Sequence, residues 1–243
     1  MKKGIVLKWL GLYYSFSFLL TIYFISQLAL TIFSVYYLAY RSQKYDSMRF
    51  AKLKITLGDN PPKLIWEFWE FYTSIILSGI LSLILIYLFS KFFSKNPINY
   101  LGFKAIKNKD WKWLLYFILL LGFSEVIIHI LGTDFSIDLS EAGKYRFLAF
   151  LGFCIFGPIF EETLFRGFIF SRMNELLSPK YHWITIVVTS ILFSTLHFQY
   201  NIIQMSIIFV MGLFLGFTRY KTQSLWLPII FHILNNSLAF LMN

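Results

Sequence analysis

The stretch from Phe147 to Phe170, FLAFLGFCIFGPIFEETLFRGFIF, decides the fold of this chain. An apolar run of about 18 residues or more is long enough to cross a bilayer as a helix. The stretch carries three charged residues, Glu161, Glu162 and Arg166. Because a charge near the bilayer centre costs at least ~2.5 kcal/mol, these residues need a structural or chemical reason to be there.

Similar apolar runs recur along the whole chain. It is 58% hydrophobic and 14% charged, against about 25% charged residues in a soluble domain. The runs are continuous rather than alternating, which favours helices over a barrel. The predicted spans cover residues 9–39, 66–90, 113–131, 147–170 with a helical continuation to about 177, 183–198, 202–218 and 225–242. The sequence predicts an all-α, polytopic integral membrane protein of about seven transmembrane helices, with a range of six to eight, in a single transmembrane domain over residues 1–243.

The charge pattern bears on partners and location. The formal net charge is +10, but the basic residues sit in short loops between the apolar runs, as orientation signals do. We therefore expect membrane lipids rather than nucleic acid as partners. The composition, rich in Lys, Ile, Phe and Asn, is typical of AT-rich genomes, and we expect a multi-pass protein of a bacterial cell membrane.

The charged residues of the central run divide into a pair and a single carboxylate. Glu162 and Arg166 are four positions apart, so they share a helix face and are predicted to form an ion pair. Glu161 points about 100° away, as consecutive residues of a helix with 3.6 residues per turn do, and is left without that partner. An unpaired carboxylate in an apolar setting suits the role of a general base.

Helix lengths predict that further polar groups lie near Glu161. Glu161 precedes the turn at 178–181 by about 25 Å of helix, and His197 follows that turn by about 24 Å. In an antiparallel hairpin the two therefore lie at one depth. His232 reaches a similar level from the last span, with Asn236 one turn further on the same face. A carboxylate beside an imidazole can deprotonate water, and imidazole and amide N–H groups can donate to an oxyanion, so the set indicates hydrolysis.

Three motifs in this region resemble those of the CAAX protease and bacteriocin-processing (CPBP/Abi) family. They are Glu-Glu-x-x-x-Arg at 161–166, Phe-x-x-x-His at 193–197 and His-x-x-x-Asn at 232–236. The resemblance covers residues 147–243 and implies an all-helical intramembrane endopeptidase of the CAAX prenyl protease type 2 kind. By matching position, Glu161 would activate water with His197, and His232 and Asn236 would form the oxyanion hole. Glu162, Arg166 and Phe193 would be supporting residues.

The expected substrate is a membrane-associated peptide or protein. The resemblance implies bacteriocin or signal-peptide processing, or self-immunity. We favour a site without a cofactor; the alternative is zinc held by Glu161, His197 and His232. Two other functions remain open: a non-catalytic bacteriocin-immunity or binding protein, and a proton-coupled transporter that relays protons through the same residues.

Overall fold

The chain folds as a bundle of helices. The computed structural model describes Gly11, Tyr13, Tyr14, Ser17, residues 69–133, Gly143 and residues 145–242. Within these ranges the backbone forms helices, turns and loops and no strand, which confirms the predicted all-α class. Apart from the four early positions, the predicted span at 9–39 lies outside the described residues.

Six of the predicted spans have a counterpart among the described helices. In chain order the helices are α1 Trp69–Ser90, α2 Pro97–Leu101, α3 Lys112–Leu131, α4 Arg146–Leu176, α5 His182–Thr195, α6 Ile202–Thr222 and α7 Trp226–Leu241. Four of them (α1, α3, α4 and α6) are long and apolar enough to cross a membrane, and α5 and α7 are shorter apolar helices. The polytopic membrane class is thereby confirmed.

Helix α4 is the central element and changes its winding along its length. It contacts α1, α5, α6 and α7, and its core side chains include Phe160, Phe165 and Phe168. Its segments Leu151–Phe156 and Thr163–Ile169 are π-helical, and the α-helical turn between them ends at Glu162. Such wide turns occur mostly as short insertions in α-helices and often at functional sites. The two glutamates thus lie between two changes of helical register.

The α5–α6 hairpin packs closely because small residues face each other across it. A Cβ atom added at Gly212 would lie 3.1 Å from the Cβ of Ser190 and 3.2 Å from Nη2 of Arg166. A Cβ at Gly216 would lie 3.2 Å from Cγ2 of Ile186. Small residues at a membrane helix interface let two backbones approach, and association then depends on van der Waals packing. Gly212 therefore fixes the distance between α6 and both α5 and the α4 arginine.

The substitution Gly212→Ala tests this close packing. The added methyl group must displace a backbone-anchored neighbour, so we expect a loss of about 1–3 kcal/mol in the free energy of unfolding. The matched control is Gly122→Ala on α3, where nothing lies within 4 Å of the added Cβ. The control should be neutral or stabilising by up to about 1 kcal/mol. Thermal unfolding in detergent measures both, and equal midpoints for the two variants would contradict the packing argument.

Helix α5 ends at Thr195, three residues before the predicted end at 198. Two polar groups explain the earlier end. The Ser194 hydroxyl donates to the carbonyl of Met205 on α6, at 2.6 Å. Asn201 then caps the start of α6 by accepting from two backbone N–H groups, with Gln204 closing a capping box. His197 consequently lies in the turn between the two helices rather than within α5.

Helix α6 runs to Thr222 instead of the predicted 218, and this extension buries Arg219. The Arg219 Nε–H donates to the carbonyl of Arg166 at 3.1 Å. Its guanidinium lies against Gly102, where an added Cβ would clash with Nη2. Gly102 also has a φ of +89°, which favours glycine. The loop after α2 is thereby packed against the basic end of α6.

Candidate active site

The predicted ion pair between Glu162 and Arg166 is present at the centre of α4. Nη1 of Arg166 donates to Oε1 of Glu162 at 2.8 Å, and both side chains are fully buried. The Nη2 of the same arginine donates to the carbonyl of Gly212 on α6 at 3.1 Å. The arginine therefore compensates the glutamate charge and also ties α4 to α6. A buried charge needs both an opposite charge and hydrogen-bond partners.

His232 of α7 lies between the two glutamates. Its Nδ1 is 3.0 Å from Oε1 of Glu162, and its Nε2 is 3.8 Å from Oε2 of Glu161. Because the Glu162 carboxylate is bound to Arg166 and accepts hydrogen bonds, the geometry places a proton on Nδ1. The Glu161 side chain is 25% exposed whereas that of Glu162 is not exposed. One carboxylate is thus enclosed in the protein and the other is accessible.

Phe193 of α5 connects the remaining members of the site. Its ring lies 4.4 Å from the guanidinium carbon of Arg166, an arrangement that allows a cation–π interaction. The ring centroid is also 4.8 Å from that of His197 and 5.6 Å from that of His232. The phenyl ring therefore contacts both imidazoles and the buried arginine.

His197 contacts the Phe193 ring, the same ring that lies over Arg166. Its Nδ1 is 2.8 Å from the carbonyl of Phe193, so in a neutral imidazole Nε2 is the basic nitrogen. Its ring also stacks beside that of Tyr200, with centroids 6.3 Å apart. The ion pairs of Glu161 and Glu162 run to His232 and Arg166. The structure thus brings His232 directly to the glutamates, whereas the ring contacts of His197 are to Phe193 and Tyr200.

Asn236 follows His232 by one turn of α7, as the sequence spacing predicts. Its Nδ2 donates to the carbonyl of Phe153 on α4 at 3.1 Å. Its Oδ1 accepts from Nδ2 of Asn235 at 3.2 Å. One of the two amide hydrogens is thereby used by the α4 backbone, and one remains for another acceptor.

The residues of the zinc alternative do not form a ligand set as they are placed. A catalytic zinc site needs three protein ligands around one point. Among the residues that the structure describes, no three His, Cys, Asp or Glu side chains are grouped in this way. Glu161 and His232 approach each other, whereas the Nδ1 of His197 is bound to a backbone carbonyl.

Sequence reasoning missed the groups that come from outside the three motifs. The end of the apolar run at 218 predicts a loop position for Arg219, yet this side chain is 5% exposed and donates to the Arg166 carbonyl. The carbonyls of Gly212 and Phe153 are acceptors for site side chains. Every residue has a backbone carbonyl, so the amino-acid sequence does not show which carbonyl accepts a hydrogen bond from a site side chain. A charged residue directly after a Gly-x-x-x-Gly span was the one available signal for Arg219.

Comparison with known proteins gives two matches. Residues 143–238 match the family model described as type II CAAX prenyl endopeptidase Rce1-like. An uncharacterized 24.3 kDa protein of Escherichia coli is 33% identical over 98 residues, which are 39% of this chain and 43% of that relative. The matched region therefore spans less than half of either protein. No solved structure matches the chain.

Proposed function

We propose, from the match of residues 143–238 to the family model of type II CAAX prenyl endopeptidases of the Rce1-like kind, that this chain is an intramembrane endopeptidase. It hydrolyses a peptide bond of a membrane-associated peptide or protein. The observation that carries the proposal is the position of Glu161. Its carboxylate is partly exposed inside a bundle of membrane helices, 3.8 Å from an imidazole that a buried glutamate holds in place.

Glu161 acts as the base in the proposed reaction. A water molecule hydrogen-bonded to Oε2 loses a proton to the carboxylate as its oxygen attacks the scissile carbonyl carbon. The resulting tetrahedral intermediate carries the negative charge on the former carbonyl oxygen. When the C–N bond breaks, the proton on Glu161 passes to the leaving amine. The products are a carboxylic acid and an amine, and the acid's proton then passes to the amine to give a carboxylate and an ammonium group. His197, whose ring contacts Phe193, assists in orienting the water or the amine.

His232 and the second amide hydrogen of Asn236 are the proposed donors to the oxyanion. Both project from the same face of α7, and an oxyanion needs donors that are fixed before the reaction. The hydrogen bond of Nδ1 to Glu162 fixes the imidazole plane, and donation to the oxyanion requires a proton on Nε2. Arg166 in turn fixes Glu162. Glu162 and Arg166 are therefore supporting residues, and so is Phe193, which contacts both imidazoles.

The proposed biological role is the processing of a peptide such as a bacteriocin or a signal peptide, or self-immunity against one. A buried helix bundle with membrane-depth carboxylates favours substrates that are themselves held in the membrane. Membrane lipids are the surrounding partners, and the bacterial cell membrane is the proposed location. A relative in Escherichia coli is consistent with that location.

Cleavage in water labelled with ¹⁸O tests the proposed function. The purified protein, in liposomes, is incubated with a library of membrane-associated peptides, and the products are read by mass spectrometry. Hydrolysis is expected to place one ¹⁸O atom in each new carboxylate. Peptides that bind but stay intact would instead favour the non-catalytic immunity or binding protein. A proton flux across the liposome membrane without cleavage would favour the transporter.

Removal of metal ions is expected to leave the hydrolysis rate unchanged. The ligand set of Glu161, His197 and His232 would use up the carboxylate that serves as base, and Glu162 is already engaged by Arg166. An asparagine amide is also a poor zinc ligand beside imidazole and carboxylate, which favours a donor role for Asn236. The measurement is turnover after dialysis to under about 0.1 zinc per chain, at fixed pH and ionic strength. Stoichiometric zinc whose loss and return follow those of activity would refute the metal-free site.

A further inference from the structure

Arg219, in the last turn of α6, is a buried arginine without a counter-charge. Its side chain is 5% exposed. Its Nε–H donates to the carbonyl of Arg166 at 3.1 Å, and its guanidinium carbon lies 5.5 Å from the ring centroid of Phe170. Among the residues that the structure describes, no carboxylate pairs with this guanidinium, and its two Nη groups have no hydrogen-bond partner. Four of the five N–H donors of the arginine are therefore available to an acceptor.

Two arginines of α4 show what Arg219 lacks. Arg166 is paired with Glu162, and Arg172 is paired with Glu175. A charge that is removed from water is costly unless it is paired and hydrogen-bonded. The Nη groups of Arg219 are not sealed inside the protein, whereas the unpartnered Nε of Arg166 is. An anion from outside the protein can therefore supply the missing partner of Arg219.

The loop between α2 and α3 is fastened to this end of α6. The N–H of Leu225 donates to the carbonyl of Gly102 at 2.7 Å, and the Ser224 hydroxyl donates to the carbonyl of Lys104 at 2.7 Å. The guanidinium of Arg219 occupies the space beside Gly102 that a side chain would need. The loop residue Lys104 therefore lies beside the turn that follows Arg219.

The two segments that meet here, residues 102–112 and 219–226, are strongly basic. Besides Arg219 they contain five exposed lysines, which are Lys104, Lys107, Lys109, Lys112 and Lys221. Their one acidic residue, Asp110, is buried and accepts from the backbone N–H of Lys107. These two segments thus attract anions and offer no exposed carboxylate to the ammonium group of a zwitterionic lipid.

Aromatic side chains place this surface at the level of the lipid headgroups. The rings of Phe103 and Trp226 are in contact, with centroids 5.2 Å apart, and Trp226 is 43% exposed. Trp111, which is 48% exposed, lies between two of the lysines in the chain. Tryptophan is enriched where the hydrocarbon core of a membrane meets water. The anion present at this depth is the phosphate group of a membrane lipid.

We propose that Arg219 is the central ligand of a binding site for the phosphate of an anionic phospholipid headgroup, between the α2–α3 loop and the α6–α7 turn. The planar guanidinium presents fixed N–H donors that match phosphate oxygens. Lys104 and the other exposed lysines add attraction for a headgroup of net negative charge. This binding does not depend on hydrolysis, so its test is separate from that of the proposed function.

Native mass spectrometry of the detergent-purified protein tests the site, with phosphatidylglycerol and phosphatidylcholine as the two lipid probes. The parent should bind phosphatidylglycerol at least about tenfold more tightly than phosphatidylcholine, because several basic residues contribute. Arg219→Gln should weaken phosphatidylglycerol binding by about tenfold or more, since it removes charge-assisted hydrogen bonds. Lys104→Gln should weaken it by about fivefold, the effect of one basic residue near an anionic surface.

The matched control is Lys91→Gln. This lysine follows α1, and its ammonium group lies 5.0 Å from the ring centroid of Tyr87 in that helix. The control should bind phosphatidylglycerol as the parent does. The unfolding midpoint of each variant is measured in parallel, because Arg219 also donates to the Arg166 carbonyl. If Arg219→Gln does not fold, the comparison of Lys104→Gln, an exposed position, with the control decides.

Three results would overturn the proposed lipid site. The first is equal affinity of the parent for the two lipids. The second is parental binding by folded Arg219→Gln, or equal affinities of Lys104→Gln and the Lys91→Gln control. The third is displacement of phosphatidylglycerol by inorganic phosphate at equal concentration, which would assign the site to free phosphate instead.

Discussion

Glu161→Gln should abolish hydrolysis while the protein remains folded and inserted. The amide is nearly isosteric with the carboxylate but cannot accept the proton of the attacking water, and loss of a general base costs about 100-fold or more. The carboxylate is 25% exposed and its ion-pair contact, with His232, is a long one at 3.8 Å, so its removal should disturb packing little. The measurement is the initial rate of peptide cleavage in liposomes, beside the unfolding midpoint of the same preparation.

The control for this substitution is Glu125→Gln. Glu125 is another glutamate of a membrane helix, exposed on α3. The control should keep the parental rate, because only the position of the carboxylate near His232 is expected to matter. A Glu161→Gln protein with the parental rate would end the assignment of Glu161 as base, whatever the control does.

Arg166→Ala should act mainly on stability. It removes both the 2.8 Å ion pair to Glu162 and the 3.1 Å hydrogen bond to the Gly212 carbonyl. Breaking a buried pair by removing one partner typically costs about 3–5 kcal/mol, because the remaining charge is left uncompensated. Thermal or denaturant unfolding in detergent measures the loss, and the activity per folded molecule is measured alongside it.

A second arginine of the same helix provides the matched control. Arg172 forms an ion pair with Glu175 that is partly exposed, and exposed pairs contribute about 0–1 kcal/mol. Arg172→Ala should therefore cost far less than Arg166→Ala. The double change Glu162→Gln with Arg166→Met should recover much of the lost stability, since it removes both charges. An Arg166→Ala protein that unfolds like the parent but is inactive would assign the arginine a direct chemical role instead.

The amino-acid sequence by itself determined the class of this protein and the positions of most helices. Continuous apolar runs can satisfy their backbone in lipid only as helices, so length and composition suffice to place them. Six runs have counterparts among the described helices, with ends within a few residues. The pairing of Glu162 with Arg166 was also readable, because residues four apart on a helix face one another whatever surrounds them.

The tertiary structure decided where the helices stop and which groups meet across them. The α5–α6 turn begins where the Ser194 hydroxyl donates to the Met205 carbonyl of α6. No local sequence pattern predicts that these two residues are in contact. Likewise, His232 lies within hydrogen-bonding distance of Glu162, which is 70 positions away in the sequence, and no sequence spacing predicts this contact. Equal depth in the membrane places residues on one plane but leaves the rotation of each helix undetermined.

The same limit applies to the backbone of α4. Pro158 in the sequence predicts a missing backbone N–H, but the π-helical winding of the segment before it is seen only in the folded structure. The packing of α7 determines that the Asn236 amide donates to the Phe153 carbonyl. The chemistry of each side chain can be read from the sequence, whereas the partner of the Asn236 amide depends on how two distant helices are rotated and packed together. That rotation follows from the fit of many side chains at once, and only the folded structure contains it.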